Sequence, residues 1–150
     1  MTQSRSEKLS WSKCFAILAV LGMAVSAGAM KAAGQAKPWA APAAAKAQKN
    51  PVPSSPEALK AGAGLYTDFC AACHGGQGKG DGAGAAALSV KPTPLTDAKL
   101  MAAETDGSIF WKISTGRSPM PGWQDALSET ERWQLVHYIR KLAKDAAGGK

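Results

Sequence analysis

Residues 69–76 read Phe-Cys-Ala-Ala-Cys-His-Gly-Gly, and the five from Cys70 to His74 decide how the rest of the chain is read. Two cysteines three positions apart on a helical turn project to the same side. Thiols placed that way reach the two vinyl groups along one edge of a porphyrin, and two thioether bonds form. The next residue, His74, then lies beneath the ring, where its imidazole can bind iron as the proximal ligand. Small Ala71 and Ala72 leave space for the macrocycle. The motif predicts one covalent haem c, held by Cys70 and Cys73 and ligated by His74.

Three other uses of such cysteines fit less well. A zinc site needs a second Cys/His pair, and the only other histidine, His137, lies far along the chain. A redox dithiol would sit at a helix start after a strand, whereas here the motif ends a helical pattern in a chain without strand patterns. A disulfide framework needs an even set, but the count is three, with Cys14 inside an apolar run. Cys14 is read as discarded or inert, since Lys13 beside it is foreign to a lipoprotein signal.

Upstream of the motif, Ser54-Ser55-Pro56-Glu57 combines an N-cap, a first-turn proline and an early acid, so a helix starts there. Leu59, Gly62, Tyr66, Phe69 and Cys73 recur at helical steps and carry that helix into the cysteines. Downstream, Gly75 to Gly84 holds six glycines, which excludes regular structure, and Pro92 and Pro94 prolong the loop. Thr96-Asp97 can cap a short helix through Met101. Asp106 can cap another that buries Ile109, Phe110 and Ile113 and ends at Gly116. Ser128 and Glu131 form a capping box for a last helix with an apolar face of Leu135, Tyr138, Ile139 and Leu142. The class is all-α.

The N-terminus has a basic start at Arg5, Lys8 and Lys13, an uncharged run of 17 residues from Cys14 to Met30, and small residues at Ala27 and Ala29. Residues 1–29 are therefore expected to be a signal peptide, or an uncleaved N-terminal anchor if the run stays in the bilayer. Residues 30–53, rich in Ala, Pro and Lys without periodicity, are expected to be a linker. The domain is placed at 54–145 and a tail at 146–150. The net charge of +7 is concentrated before the domain: residues 1–50 carry seven basic residues against one acidic, and the remaining hundred are nearly neutral. A basic stripe for phosphates is missing from the domain, so nucleic-acid binding is not expected.

A second iron ligand is sought among the methionines. Met101 sits in a short helix with an ordinary packing explanation, whereas Met120 lies between Pro119 and Pro121 in the segment Gly116-Arg-Ser-Pro-Met-Pro-Gly122. Proline on both sides rules out helix and stiffens the backbone that would present the thioether, so Met120 is the expected sixth ligand. His137 is opposite the apolar face of the last helix and is read as solvated. Trp111, Trp123 and Trp133 are read as packing, and Trp39 as linker composition.

From about Pro56 to Leu142 the sequence resembles the class I mono-haem c-type cytochromes. In that family a glycine and an aromatic residue stand eight and four positions before the first haem cysteine, where the first helix crosses the last; Gly62 and Tyr66 match, and Leu135 and Tyr138 resemble their partners. The resemblance implies the cytochrome c fold, with short helices and loops wrapped around one haem. It also implies that a proline carbonyl, of Pro92 or Pro94, holds the Nδ1 proton of His74. Trp111-Lys-Ile113 and Glu131-Arg-Trp133 resemble bacterial respiratory members.

With both axial positions filled, no site is open for oxygen or substrate, so the expected activity is electron transfer rather than enzymatic chemistry. The expected setting is the periplasm, in a respiratory chain. A quinol-oxidising complex or a dehydrogenase would be the donor and a terminal oxidase or reductase the acceptor, met over a small, weak interface. The alternatives are a fixed or membrane-tethered subunit of a larger oxidoreductase complex, and a haem peroxidase or sensor.

Overall fold

The Ser55 hydroxyl accepts a hydrogen bond from the Ala58 amide at 3.1 Å and, with Pro56 in the first turn, starts the first long helix where the sequence signal placed it. The structure is a computed structural model and describes residues 38–148. In chain order its helices are α1 (Ala43–Ala47), α2 (Pro56–Phe69), α3 (Ala71–His74), α4 (Ala98–Ala103), α5 (Asp106–Thr115) and α6 (Glu129–Gly148), with a 3-10 turn at Ala83–Ala87. Among the described residues no strand forms, and a single isolated antiparallel bridge pairs Arg117 with Met120. The fold is all-α.

Helices α2 and α6 form the frame. They cross at Gly62, which is buried against the backbone of Gln134: a Cβ at residue 62 would overlap the Gln134 carbonyl oxygen and stand 2.9 Å from its carbon and 3.1 Å from Tyr138 Cβ. One turn on, the Tyr66 ring lies 5.2 Å from that of Tyr138, tilted by 53°. Around this crossing the core gathers Tyr66, Met101, Ile109, Ile113, Leu127, Trp133, Leu135, Val136, Ile139 and Ala143. Phe110 stacks on Trp133 at 4.0 Å. Phe69, expected on the inner face of α2, is instead more than a third exposed and meets Trp123 edge-on.

The caps follow short-range chemistry. Asp97 accepts from the amides of Lys99 and Leu100 to start α4, and Ser128 and Glu131 bond reciprocally to start α6. For α5 the cap is Thr105, which accepts from Ser108 N, and not Asp106, which is the first helical residue. Asp106 is held elsewhere, by the Arg140 guanidinium at 2.7 Å. That guanidinium also donates to the carbonyls of Met101 and Glu104, so one side chain of α6 ties down the ends of α4 and α5.

The expected targeting segment, residues 1–29, and residues 30–37 lie outside the described residues, as do 149 and 150. Residues 39–53, expected to be free linker, are instead packed on the domain. Ala41 and Ala45 are buried, and α1 approaches α5 so closely that a Cβ on Gly107 would overlap the Ala45 carbonyl oxygen. Asn50 donates to the Trp133 carbonyl at 3.1 Å. His137, expected in solvent, lies under this strap with its Nε2 2.7 Å from the Val52 carbonyl oxygen. Small residues on small residues bury backbone as well as side chain, and this close fit leaves no hydrophobic periodicity to read. The last helix likewise runs through Gly148, past the expected domain end at 145.

Two glycines two positions apart on the same helix behave oppositely on this frame. Gly62→Ala should lower unfolding stability by roughly 1–3 kcal/mol, because the new methyl meets backbone that cannot move aside. Gly64→Ala, with open space around its Cβ, should be neutral or raise stability by up to about 1 kcal/mol. Denaturant unfolding of the two variants checks the contrast.

Candidate functional site

Helix α2 ends at Phe69, and the chain turns at Cys70 before a single further turn, α3, carries it through His74. The Cys73 and His74 amides both bond the Cys70 carbonyl, at 3.2 and 2.9 Å. Cys70, Cys73 and His74 thus share one tight turn, all half-buried, and the two cysteines are not joined by a disulfide. Burial, with a smaller contribution from Cys73, raises the Cys70 thiol to about 11, so it is not a ready thiolate.

The glycine loop exists to fold back onto that turn. Gly80 N bonds the His74 carbonyl at 2.8 Å and Gly82 N bonds the Cys73 carbonyl at 3.2 Å. At Gly82 a Cβ would overlap the Ala72 carbonyl oxygen, and Gly75 turns at a φ of 77° beside the Asp81 carboxylate. Side chains at either position would push the loop off the turn. From the helix side, the buried Tyr66 hydroxyl donates to the Gly75 carbonyl at 2.8 Å, linking the α2/α6 crossing directly to the loop.

The loop then returns past His74. His74 Nδ1 lies 3.3 Å from the Thr93 carbonyl oxygen, which takes its proton and fixes the ring. The expected supporter was Pro92 or Pro94; the carbonyl is that of Thr93 between them. The Pro92 carbonyl lies instead against Gly80, 2.6 Å from where a Cβ would stand. Burial lowers the His74 pKa from its ordinary value, with the Thr93 bond opposing, so the imidazole is held in its neutral, ligating form.

Among the described residues no three His, Cys, Asp or Glu side chains converge as a cage for a bare metal ion. The donor set suits a group that would bring its own ligands to the metal: two thiols on one turn, available for thioether bonds, and one imidazole with Nδ1 engaged and Nε2 free of any described hydrogen-bond partner. Residues Cys70, Cys73 and His74 fit a haem in this respect.

Met120 sits in the loop between α5 and α6. Its amide and carbonyl both bond Arg117, each at 2.9 Å, and the loop base is closed by Trp123 N on the Ile113 carbonyl at 3.0 Å. The Phe69–Trp123 contact brings this loop to the residue before Cys70, with ring centroids 5.2 Å apart. Met101, the rejected candidate, is 4% exposed inside the core, as its packing explanation requires.

Comparison with known proteins bears on the same turn. The family described as "Cytochrome C oxidase, cbb3-type, subunit III" matches residues 57–139. The chain belongs to this family of c-type cytochromes. It is 35% identical to the chloroplastic cytochrome c6 of Chlamydomonas reinhardtii over 95 residues, covering 59% of this chain and 57% of that one. Cytochrome c6 of Bryopsis maxima is 31% identical over 88 residues, 55% of this chain and 90% of its own. The cbb3-type cytochrome c oxidase subunit FixPc of Rhizobium leguminosarum bv. viciae is 30% identical over 60% of this chain and 30% of its own length. A chain of the Kuenenia stuttgartiensis reducing HAO-like protein complex superposes with a TM-score of 0.55 at 29% identity, over 63% of this chain and 49% of that one. The chain thus spans little more than half of the Chlamydomonas relative and less of the two complex components. This cytochrome is a class I mono-haem type, and its prosthetic group is a covalent haem c with iron, in keeping with the spacing of Cys70 and Cys73.

Removing the Tyr66 hydroxyl isolates the link between crossing and loop. Tyr66→Phe should fold but lose about 0.5–1.5 kcal/mol of stability, read by thermal unfolding.

Proposed function

We propose that this cytochrome is a single-electron carrier outside the cytoplasm, with Cys70 and Cys73 as its thioether attachments and His74 and Met120 as its axial ligands. The observation that supports this most is the His74 ring, turned by Thr93 so that Nε2 remains for iron, on the same turn as the two thiols. Bound there, the haem supplies one ferric/ferrous couple. The chain's part is to fill both axial positions, to exclude substrate, and to set the potential.

For the sixth position, the Met120 loop is the supported choice. Pro119 and Pro121 restrict its backbone, and the paired bonds to Arg117 close it into a tight turn. A thioether opposite an imidazole favours ferrous iron, which makes the carrier one of comparatively high potential. Donors of quinol-oxidising or dehydrogenase type and acceptors of oxidase or reductase type suit such a potential.

Export to the periplasm rests on the reading of residues 1–29, whose cleavage frees the domain and whose retention anchors it. Among the described residues, no helix is long and apolar enough to cross a membrane. A second reading, a fixed subunit of a larger oxidoreductase complex in a respiratory chain, is favoured by the likeness to the FixPc subunit and to the HAO-like complex. Purification of the native protein from membranes separates the two: a stable complex supports the subunit, a monomer the shuttle.

Spectroscopy of the ferric protein tests the ligand set. The thioether charge-transfer band should be present, with slow cyanide uptake. Met120→Leu should abolish the band and open the position to cyanide, while Met120→His should lower the reduction potential. A wild-type protein without the band that binds cyanide at once would point instead to a peroxidase or sensor.

A further inference from the structure

Trp39 stands where the N-terminal strap meets the loop that carries Met120. Two cations face its ring: Lys112 Nζ lies 5.5 Å from the centroid and the Arg117 guanidinium carbon 5.1 Å. Lys112 belongs to the last turn of α5, and Arg117 follows directly after that helix. Arg117 is also the residue whose backbone exchanges two hydrogen bonds with Met120. A single aromatic ring therefore touches both the fixed end of a core helix and the pairing partner of the candidate ligand.

The base of this loop is held by backbone bonds from Trp123 and Gln124 to α5, and at its exposed tip Arg117 meets the Trp39 ring. The negative face of an indole attracts a cation placed over it, so the Trp39 ring draws both Lys112 and Arg117. Lys112 is further compensated by its ion pair with Glu104. Trp39 is not held there by its indole nitrogen, because Nε1 is buried without a hydrogen-bond partner. What places the ring is the strap, fastened behind it through Ala45, Asn50 and Val52.

We infer that Trp39 is a positioning residue for the sixth iron ligand: its ring draws Arg117 toward the end of α5 and thereby steadies the turn that would present Met120 to a bound haem. This rests on Met120 being that ligand. It gives the segment before the haem domain a part in the redox site, although it contributes no ligand.

Imidazole binding to the ferric, haem-loaded full chain tests it, because the added base must displace the thioether. Trp39→Ala should bind imidazole roughly three- to fivefold more tightly than wild type, the order expected from losing a cation–π contact to an exposed guanidinium. Trp39→Phe keeps a π-face, discards the unpartnered N–H, and should stay within about twofold of wild type. If Trp39→Ala melts earlier yet binds imidazole with wild-type affinity, the ring has a merely structural role and the inference is overturned. Equal loosening in Trp39→Phe overturns it as well, since the cation-facing ring would then not be the cause. A wild-type protein without the thioether band removes the Met120 reading itself, a result distinguishable from either.

Discussion

The close approach of two backbones at Gly62 and Gln134 is the constraint from which the rest of this structure follows. With no side chain between them, α2 settles onto α6 and Tyr66 is carried under Tyr138. From that position its hydroxyl reaches the Gly75 carbonyl, the first link of the glycine loop. The loop in turn lays its amides on the carbonyls of Cys73 and His74 and brings Thr93 to the imidazole. A helix crossing thus helps set the orientation of the His74 ring, through a close packing contact, one tyrosine hydroxyl and the backbone bonds of the loop.

The site built this way is suited to moving an electron with little rearrangement. Its parts are a one-turn helix, a loop pinned by its own amides, and a proline-flanked turn closed by paired backbone bonds, all of which resist displacement between oxidation states. Arg140 adds to this rigidity from α6, binding the Asp106 carboxylate at the start of α5 and the Met101 and Glu104 carbonyls at the end of α4. None of these residues has a chemical step to perform, and the chemistry asked of the chain is to hold ligands still.

Much of this was legible in sequence because its signals are short-range. The Cys70–His74 spacing, the Ser55 and Ser128 caps, and the Gly62/Tyr66 pair each depend on residues within one or two helical turns, and the family relationship accounts for the crossing. What escaped depended on distant partners. Thr105 displaced Asp106 as a cap because Arg140, more than thirty residues on, claims the carboxylate. Thr93, and neither flanking proline, supports His74, through a carbonyl that only the fold of the loop brings to the ring. Residues 39–53 lacked any periodic apolar stripe, yet alanines against Gly107 and an aromatic ring facing two cations hold them in place, and neither leaves a local trace. His137 was misread for the same reason, its partner Val52 lying on the strap.

The central claim is a covalent bond between this polypeptide and a metalloporphyrin, and intact-mass spectrometry of the full chain, matured in a host with haem-attachment machinery and then denatured, tests it most directly. The account requires the mass of one haem to remain on the denatured chain and to map to the peptide containing Cys70, Cys73 and His74. A chain with the mass of the polypeptide alone, or one whose colour is extracted by acid-acetone, would contradict it.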